Sequence, residues 1–365
     1  MNQRIGVFDG HSDLFTNVTL RRLNGETDVI RRHHRAQLQA GQVGAMTCCV
    51  WIDPPFTDTP TKRMVEILSS ACAELREAAD VAEVAYRAVD IERICAAGKL
   101  AILLGMEGLS GLCGQVDFLD VLYAWGVRHA MLTWNEVNEF ANGACSPHGN
   151  EGLTPLGIRA VQRMEELGMI VDVSHANEQT FWDICTHTKK PFIASHSNAY
   201  TLCAHARNLK DDQIVALAER GGVIGMNAWP EFIATDAPSA ERLADHVDHI
   251  ANLVGVDHIA CGFDFCDYLP SDTLASFTHT DVICEGLTSA ADVPHFFAVL
   301  KGRGYSALWR RRTIETGNSN VSIPSTTSWS RAMTEKDACR RPGNSSSAIR
   351  RDSSLSSRCC LGKRT

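Results

Sequence analysis

Residues 5–13 read IGVFDGHSD, a short and largely apolar run that gives way at once to carboxylate and imidazole side chains. Apolar runs of this kind predict strands that are buried on both faces, as they are in a parallel sheet. Similar runs recur along the chain, so that eight strands are predicted. They cover residues 5–8, 44–52, 101–104, 129–133, 169–173, 191–194, 222–227 and 258–262.

Longer amphipathic segments separate the predicted strands, with apolar residues spaced by three or four positions as in helices. They include residues 61–79, 155–167, 211–220 and 239–254. Strands that alternate with helices in this number predict an α/β fold, a (β/α)8 TIM barrel. A doubly wound open sheet would also alternate, but it typically carries a glycine-rich phosphate loop, and the sequence contains neither G-x-G-x-x-G nor G-x-x-x-x-G-K-[ST].

Composition and charge exclude several classes of function. The chain has 365 residues, 44% hydrophobic and 21% charged, which is typical of a globular protein. Residues 310–365 contain 12 Lys and Arg against 4 Asp and Glu, which is a net charge of +8. Because the whole chain has a net charge of −8, the preceding residues carry −16. This acidic body argues against nucleic acid as a partner. No apolar run approaches the ~20 residues of a membrane-spanning helix, and 14 scattered cysteines without a secretory leader predict a cytoplasmic protein.

Side chains that bind metals stand where the predicted strands end. His11 and Asp13 follow the first strand, Glu107 follows the third, and His175 and His196 follow the fifth and sixth. Because the carboxyl ends of barrel strands meet on one face, these five side chains are expected to share a cavity. Imidazoles and carboxylates suit zinc, and five ligands are too many for one catalytic ion. We therefore expect two Zn²⁺ ions per chain, bridged by a carboxylate such as Glu107, and hydrolysis as the reaction class.

A further acid, Asp264, directly follows the eighth predicted strand. A carboxyl group at this place can take a proton from metal-activated water and return it to a leaving amine. Asp267 is the competing candidate, and Asp264 is preferred because it adjoins the strand. His129 lies inside a predicted strand and is given a structural role.

These motifs resemble those of the membrane (renal) dipeptidase family, metallopeptidases of the amidohydrolase barrel type. The shared stretches are D-G-H-S-D at 9–13, G-M-E-G at 105–108, G-L-T-P-L-G at 152–157, V-D-V-S-H at 171–175 and S-H-S-N-A-Y at 195–200. The resemblance, which extends over residues 5–305, implies a dinuclear zinc site. It places His11, Asp13 and the bridging Glu107 on one side, and Glu107, His175 and His196 on the other.

The same resemblance implies hydrolysis of dipeptides by a metal-bridging hydroxide, tolerance for a D-residue at the C-terminal position, and a homodimer. Arg207 matches the family's arginine that holds the substrate carboxylate, and Asp264 matches its acid beside the bridging water. Many relatives have a histidine where this chain has Trp134, so the indole N–H and Asn135 are predicted to contact the substrate instead. Two alternatives stay open: action on another small amide or lactam, and a catalytically impaired metal-binding homologue.

The character of the chain changes after residue 306. Residues 321–365 contain eleven serines and little apolar periodicity, which predicts disorder. The predicted domains are a metallo-dipeptidase domain at 1–306 and a Ser/Arg-rich tail at 307–365. Because the family continues here with an amphipathic helix, we hypothesise that the reading frame has changed near Ser306. The alternative is a native disordered tail with a partner of its own.

Overall fold

Strands and helices alternate along the chain as the periodicity predicts. The computed structural model describes residues 6–146, 149–276, 278, 282–308 and 328–331. The strands are β1 (Val7–Ser12), β2 (Val43–Trp51), β3 (Ala82–Val84), β4 (Leu100–Glu107), β5 (Val127–Met131), β6 (Ile170–Asp172), β7 (Ile224–Met226), β8 (Ile259–Cys261), β9 (Tyr305–Leu308) and β10 (Ser328–Arg331). The helices are α1 (Leu14–Leu23), α2 (Arg35–Ala40), α3 (Pro60–Glu77), α4 (Ala88–Ala96), α5 (Phe118–Trp125), α6 (Pro155–Leu167), α7 (Glu178–His187), α8 (Asp211–Glu219), α9 (Pro230–Ile233), α10 (Ala240–Val254), α11 (Ser271–Ala275) and α12 (Val293–Gly302).

The parallel strands form a ring. They follow the order β6-β5-β4-β2-β1-β8-β7, with β3 paired to β4 beside this path. The segment between β6 and β7 closes the ring, because Ile193 pairs with Asp172 of β6 and Ala194 pairs with Ile224 of β7. Backbone hydrogen bonds of 2.8 to 3.0 Å join this segment to both neighbours. The predicted (β/α)8 barrel is confirmed.

Two elements differ from the prediction. The sixth predicted strand, residues 191–194, forms only the two bridges that close the ring. The additional strand β3 pairs with the first part of β4, from Leu100 to Ile102, whereas β5 pairs with β4 only from Leu104 onward. β3 therefore covers the stretch of β4 that β5 leaves open. Its three residues, with Glu83 at the centre, offer no apolar run from which to predict it.

Apolar side chains fill the amino-terminal end of the barrel. One buried cluster joins residues of separate strands, among them Phe8, Leu103 and Ile170, to Ile91 and Ile94 of α4. A larger cluster packs the strands against the surrounding helices. Polar side chains are thereby left to the carboxyl ends of the strands, where the candidate ligands stand.

Two glycines allow close approach of backbone segments near that end of the barrel. A Cβ on Gly262 would lie 1.7 Å from the carbonyl oxygen of Ser195, and a Cβ on Gly225 would lie 1.8 Å from the same oxygen. Distances this short are far inside van der Waals contact, and the obstacle is backbone. Only glycine fits at these two positions.

We expect Gly262→Ala to lower the free energy of unfolding by about 3 kcal/mol or more, because a backbone oxygen cannot turn away as a flexible side chain can. Gly302→Ala is the matched control, since Gly302 ends α12 and a Cβ there meets no atom within 4 Å. Urea denaturation of both variants measures the difference. Equal stability of the two variants would show that the barrel wall adapts to the added methyl group.

The described part of the chain ends in a short pair of strands. β9 pairs antiparallel with β10, with Tyr305 opposite Arg331 and Leu308 opposite Ser328. No apolar run marks residues 328–331, so this strand was not predicted. The rest of the predicted tail, residues 309–327 and 332–365, lies outside the described residues, and so does the prediction of disorder there. The domain boundary at residue 306 stays a prediction.

Candidate metal centre

The five candidate ligands lie together at the carboxyl end of the barrel. His11 belongs to β1, Asp13 follows that strand, and Glu107 is the last residue of β4. His175 lies just beyond β6, and His196 lies just beyond the segment that closes the ring. All five residues are buried, with at most 5% of their surface exposed. The parallel arrangement of the strands thus brings the five side chains into one place.

Glu107 stands at the centre of this group. Its Oε1 lies 2.8 Å from His175 Nε2 and 3.8 Å from His196 Nε2, and its Oε2 lies 3.3 Å from His11 Nε2. His11 Nε2 is also 3.8 Å from Asp13 Oδ2. The two oxygens of Glu107 therefore face different imidazoles. This is the arrangement that a carboxylate needs if it is to bridge two cations.

Each of the three histidines turns Nε2 toward the centre because its Nδ1 has a partner on the other side. The Nδ1 partners are Cys49 Sγ for His11 at 3.6 Å, Asn135 Oδ1 for His175 at 2.9 Å, and Ser195 Oγ for His196 at 2.7 Å. Such partners fix the tautomer and the ring orientation of metal-binding histidines. An Nδ1–H that is donated outward leaves the Nε2 lone pair free for a ligand bond.

Two residues of the site hold the left-handed backbone conformation. His175 has φ 67° and Asp264 has φ 58°. Side chains other than glycine seldom adopt this conformation, and such residues cluster at functional sites where the surrounding structure holds them. For His175 that support includes the cap of α7, Asn177, which lies two residues later. The Asn177 Oδ1 accepts a hydrogen bond from the Thr180 N–H at 2.8 Å.

Several buried polar atoms of the candidate ligands and of Arg207 have no hydrogen-bond partner within the described part of the chain. They are His11 Nε2, Asp13 Oδ1, Glu107 Oε2, His196 Nε2 and Arg207 Nε. Leaving one such group unpaired costs about 1–3 kcal/mol, so a cluster of them indicates a ligand. Imidazole nitrogens and carboxylate oxygens are the donors that zinc takes. The residues present therefore fit a metal centre, and the cationic Arg207 fits an anion beside it.

Burial shifts the protonation of these groups. It raises the pKa of the Glu107 carboxyl well above its ordinary value, and the nearby Asp13 carboxylate raises it further. Burial also raises the pKa of Asp264. It lowers the pKa of His175 and His196 well below the ordinary value, so both imidazoles are neutral. Neutral imidazole is the form that binds a metal ion.

His11 behaves differently from the other two histidines. Burial acts to lower its pKa, but Glu107, Cys49 and Asp13 together outweigh burial, and the pKa lies well above its ordinary value. A proton and a cation therefore compete for His11 Nε2. Metal binding at this nitrogen is expected to release a proton and to weaken as the pH falls.

Asp264 approaches the candidate ligands from the loop after β8. Its Oδ1 lies 3.7 Å from His11 Nε2, and its Oδ2 accepts a hydrogen bond from Asn227 Nδ2 at 3.2 Å. Donor atoms of Asp264, His11 and Asp13 all lie within 4.8 Å of one another. Asp267, the competing candidate, instead accepts a hydrogen bond from Gln37 Nε2 at 3.1 Å. The structure thus places Asp264 beside the candidate ligands.

Arg207 is a buried cation, 3% exposed, at the wall of a cavity of about 440 Å³. Its Nη2 donates to the carbonyl oxygen of His196 at 3.4 Å, and its guanidinium lies 5.4 Å from the centre of the Phe232 ring. Its Nε has no hydrogen-bond partner within the described residues. A buried guanidinium of this kind is suited to holding a carboxylate of a ligand.

Trp134 and Asn135 both lie next to His175. Trp134 lines a cavity of about 460 Å³ together with Glu107, and its ring centre is 6.2 Å from that of His175. Asn135 Oδ1 accepts a hydrogen bond from His175 Nδ1 at 2.9 Å. The contact with His175 was not predicted, because nothing in the sequence ties residue 135 to residue 175.

Known proteins share sequence and fold with this chain. The sequence profile of a family described as membrane dipeptidase, peptidase family M19, matches residues 1–309. An uncharacterized dipeptidase of Schizosaccharomyces pombe is 34% identical over 243 residues, which are 64% of this chain and 58% of that protein. The dipeptidase tcpJ of Claviceps purpurea is 31% identical over 285 residues, 74% of this chain and 64% of that protein. This chain therefore spans less than two thirds of either relative.

The fold also matches a solved structure, a metallo peptidase from Rhodobacter sphaeroides bound to a phosphinate mimic of the dipeptide L-Ala-D-Ala. The TM-score is 0.72 at 24% sequence identity, with 83% of this chain and 94% of that chain covered. At this identity the likeness concerns the fold.

Among the residues that the structure describes, no helix has the length and apolar character needed to cross a bilayer.

Proposed function

Because this chain belongs to the membrane dipeptidase family, peptidase family M19, we propose that it is a zinc-dependent dipeptidase. The observation that carries the proposal is the cluster of unpartnered buried atoms around Glu107. His11, Asp13 and Glu107 would hold one zinc ion, and Glu107, His175 and His196 the second. When bound, the metal ions would acidify a water molecule and so supply hydroxide near neutral pH.

The protein's own part in the reaction begins with proton transfer at Asp264. Its Oδ1, 3.7 Å from His11 Nε2, lies where it can accept the proton of the attacking water. Asn227 holds the other oxygen and so fixes the direction of the carboxyl group. The raised pKa of Asp264 favours its protonated form, which can then donate to the amine that leaves when the peptide bond breaks.

Binding of the substrate is assigned to groups that flank the ligands. Arg207 would hold the C-terminal carboxylate, because it is a buried cation whose Nε has no hydrogen-bond partner among the described residues. The Asn135 NH₂ group and the Trp134 indole N–H would donate to the carbonyl oxygen of the scissile bond as negative charge develops on it. Two neutral donors are weaker than a cationic one, so stabilisation of that charge would rest mainly on the metal ions.

Several finer points are part of the same proposal. We assign the activity to residues 1–306, with a homodimer and a cytoplasmic location as the family resemblance and the cysteine content suggest. Tolerance for a D-residue at the C-terminal position also follows from the resemblance. The dipeptide L-Ala-D-Ala is a suitable test substrate, since its phosphinate mimic is the ligand of the Rhodobacter protein.

The test compares hydrolysis of L-Ala-L-Ala and L-Ala-D-Ala before and after removal of metal with a chelator. We expect activity to disappear on chelation and to return with about two equivalents of Zn²⁺ per chain. Mg²⁺ is the control, because it prefers all-oxygen ligands and should not restore activity. Faster hydrolysis of N-acyl amino acids or a lactam would favour another amidohydrolase activity. Bound zinc without any turnover would identify an impaired homologue.

A further inference from the structure

A line of buried polar side chains leads away from the ligand His11 through the inside of the barrel. His11 Nδ1 lies 3.6 Å from Cys49 Sγ, and Cys49 Sγ lies 4.0 Å from His129 Nδ1. His129 Nε2 lies 2.7 Å from Asp172 Oδ2. His11, Cys49 and His129 are completely buried, and Asp172 is nearly so. Water therefore has no access to these contacts.

The register of the sheet explains why these side chains meet. Cys49 of β2 pairs with Gly105 of β4, and Gly105 pairs with His129 of β5. A Cβ on Gly105 would lie 2.6 Å from His129 Nδ1 and 2.8 Å from Cys49 Sγ. The glycine therefore leaves the space in which the thiol of one strand and the imidazole of the next come together.

Asp172 sets the direction of its hydrogen bond with His129. Its Oδ1 accepts hydrogen bonds from the backbone N–H groups of Ser174 at 2.9 Å and Ser195 at 3.0 Å, so its Oδ2 is left to accept from His129 Nε2–H. The Cys49 sulfur lies between the Nδ1 atoms of the two rings and accepts from His11 Nδ1–H. The Nδ1 of His11 is thereby protonated, and the only remaining lone pair of the His11 ring is on Nε2.

We infer that Cys49, His129 and Asp172 form a positioning chain, which holds the His11 ring in the orientation and tautomer that point Nε2 at the metal centre. The inference rests on the proposed metal site. It assigns a positioning role to the Cys49 thiol and the His129 imidazole, neither of which is itself a candidate ligand. Partners of this kind typically change metal affinity by 10- to 100-fold.

The chain offers a matched control in the neighbouring cysteine. Cys48 precedes Cys49 on β2 and is equally buried, but because successive side chains of a strand point to opposite faces, it belongs to the apolar cluster between sheet and helices. Cys48→Ala removes the same group with the same loss of volume. Its comparison with Cys49→Ala separates loss of packing from loss of the contact with His11.

The experiment measures Zn²⁺ affinity of the metal-free full-length chain by competition with a chelator, with thermal unfolding recorded for every variant. We expect Cys49→Ala and His129→Gln each to weaken Zn²⁺ binding by about 10- to 100-fold. Gln can still donate to Asp172 but cannot reach the thiol. The double variant should lose no more than either single one, because the residues act as one unit. Cys49→Ser should recover part of the affinity, and Cys48→Ala should bind as the unaltered protein does.

Three results would overturn the inference. The first is an equal Zn²⁺ affinity of Cys49→Ala and Cys48→Ala, and the second is additive losses of Zn²⁺ affinity in the double variant. The third is a sulfur-to-cobalt charge-transfer band in the Co²⁺-loaded protein, which would make Cys49 a ligand. If Cys49→Ala does not fold, Cys49→Ser and His129→Gln carry the same comparison. Failure of the unaltered chain to bind zinc would instead refute the proposed function, so the two failures are distinguishable.

Discussion

Glu107→Gln is expected to remove the bound zinc and to lower kcat/KM for dipeptides by about 10³-fold or more. Glutamine keeps the shape of the side chain but replaces one oxygen by an NH₂ group and removes the charge. In the structure the two oxygens of Glu107 face different imidazoles at the centre, Oε1 at 2.8 Å from His175 Nε2 and Oε2 at 3.3 Å from His11 Nε2. An amide at this place cannot bridge two cations, because its N–H donors repel them.

The matched control for this variant is Glu139→Gln. Glu139 lines the same cavity of about 460 Å³ as Glu107, but it is exposed and belongs to no cluster of candidate donors in the described part of the chain. Glu139→Gln removes the same charge from the same cavity but leaves the candidate ligands unchanged. Elemental analysis of zinc per chain and steady-state kinetics measure both variants. Unchanged zinc content in Glu107→Gln would refute the bridging role.

The candidate ligands could be predicted from the sequence because of their position relative to the strands. An apolar run that ends in a polar residue fixes both where a strand stops and which side chain stands at its carboxyl end. His175 and His196 were located in this way, although the strand before His196 forms only two bridges. The prediction needed the position of the strand end and not the full extent of the pairing.

The partners of those ligands could not be predicted in the same way. Cys49 and His129 lie within apolar runs. A cysteine is common in such a run, and a single histidine there predicts a hydrogen bond but does not identify its partner. Their contact depends on the register between β2, β4 and β5, and a shift of one residue would turn each side chain to the other face. Register is set by packing across the whole sheet, which periodicity along one strand does not contain.

Asp264→Asn is expected to lower kcat for dipeptides by about 10²- to 10⁴-fold, the usual contribution of a positioned acid or base, and to leave the zinc content unchanged. Asparagine cannot accept and return a proton, but it fits the site in two respects. It tolerates the left-handed backbone that Asp264 adopts at φ 58°. Its amide can also keep the contact with Asn227, which Asp264 Oδ2 makes at 3.2 Å.

Asp267→Asn distinguishes the role of Asp264 from a general effect of the loop after β8. Both acids lie in that loop, but Asp267 accepts a hydrogen bond from Gln37 and stands apart from the candidate ligands, so its variant should keep kcat close to that of the unaltered protein. The decisive comparison is zinc content against kcat. Because Asp264 lies within ligand distance of His11 and Asp13, loss of one zinc ion from Asp264→Asn would make it a metal ligand. Full zinc content with a fall in kcat identifies it as the group that moves the proton.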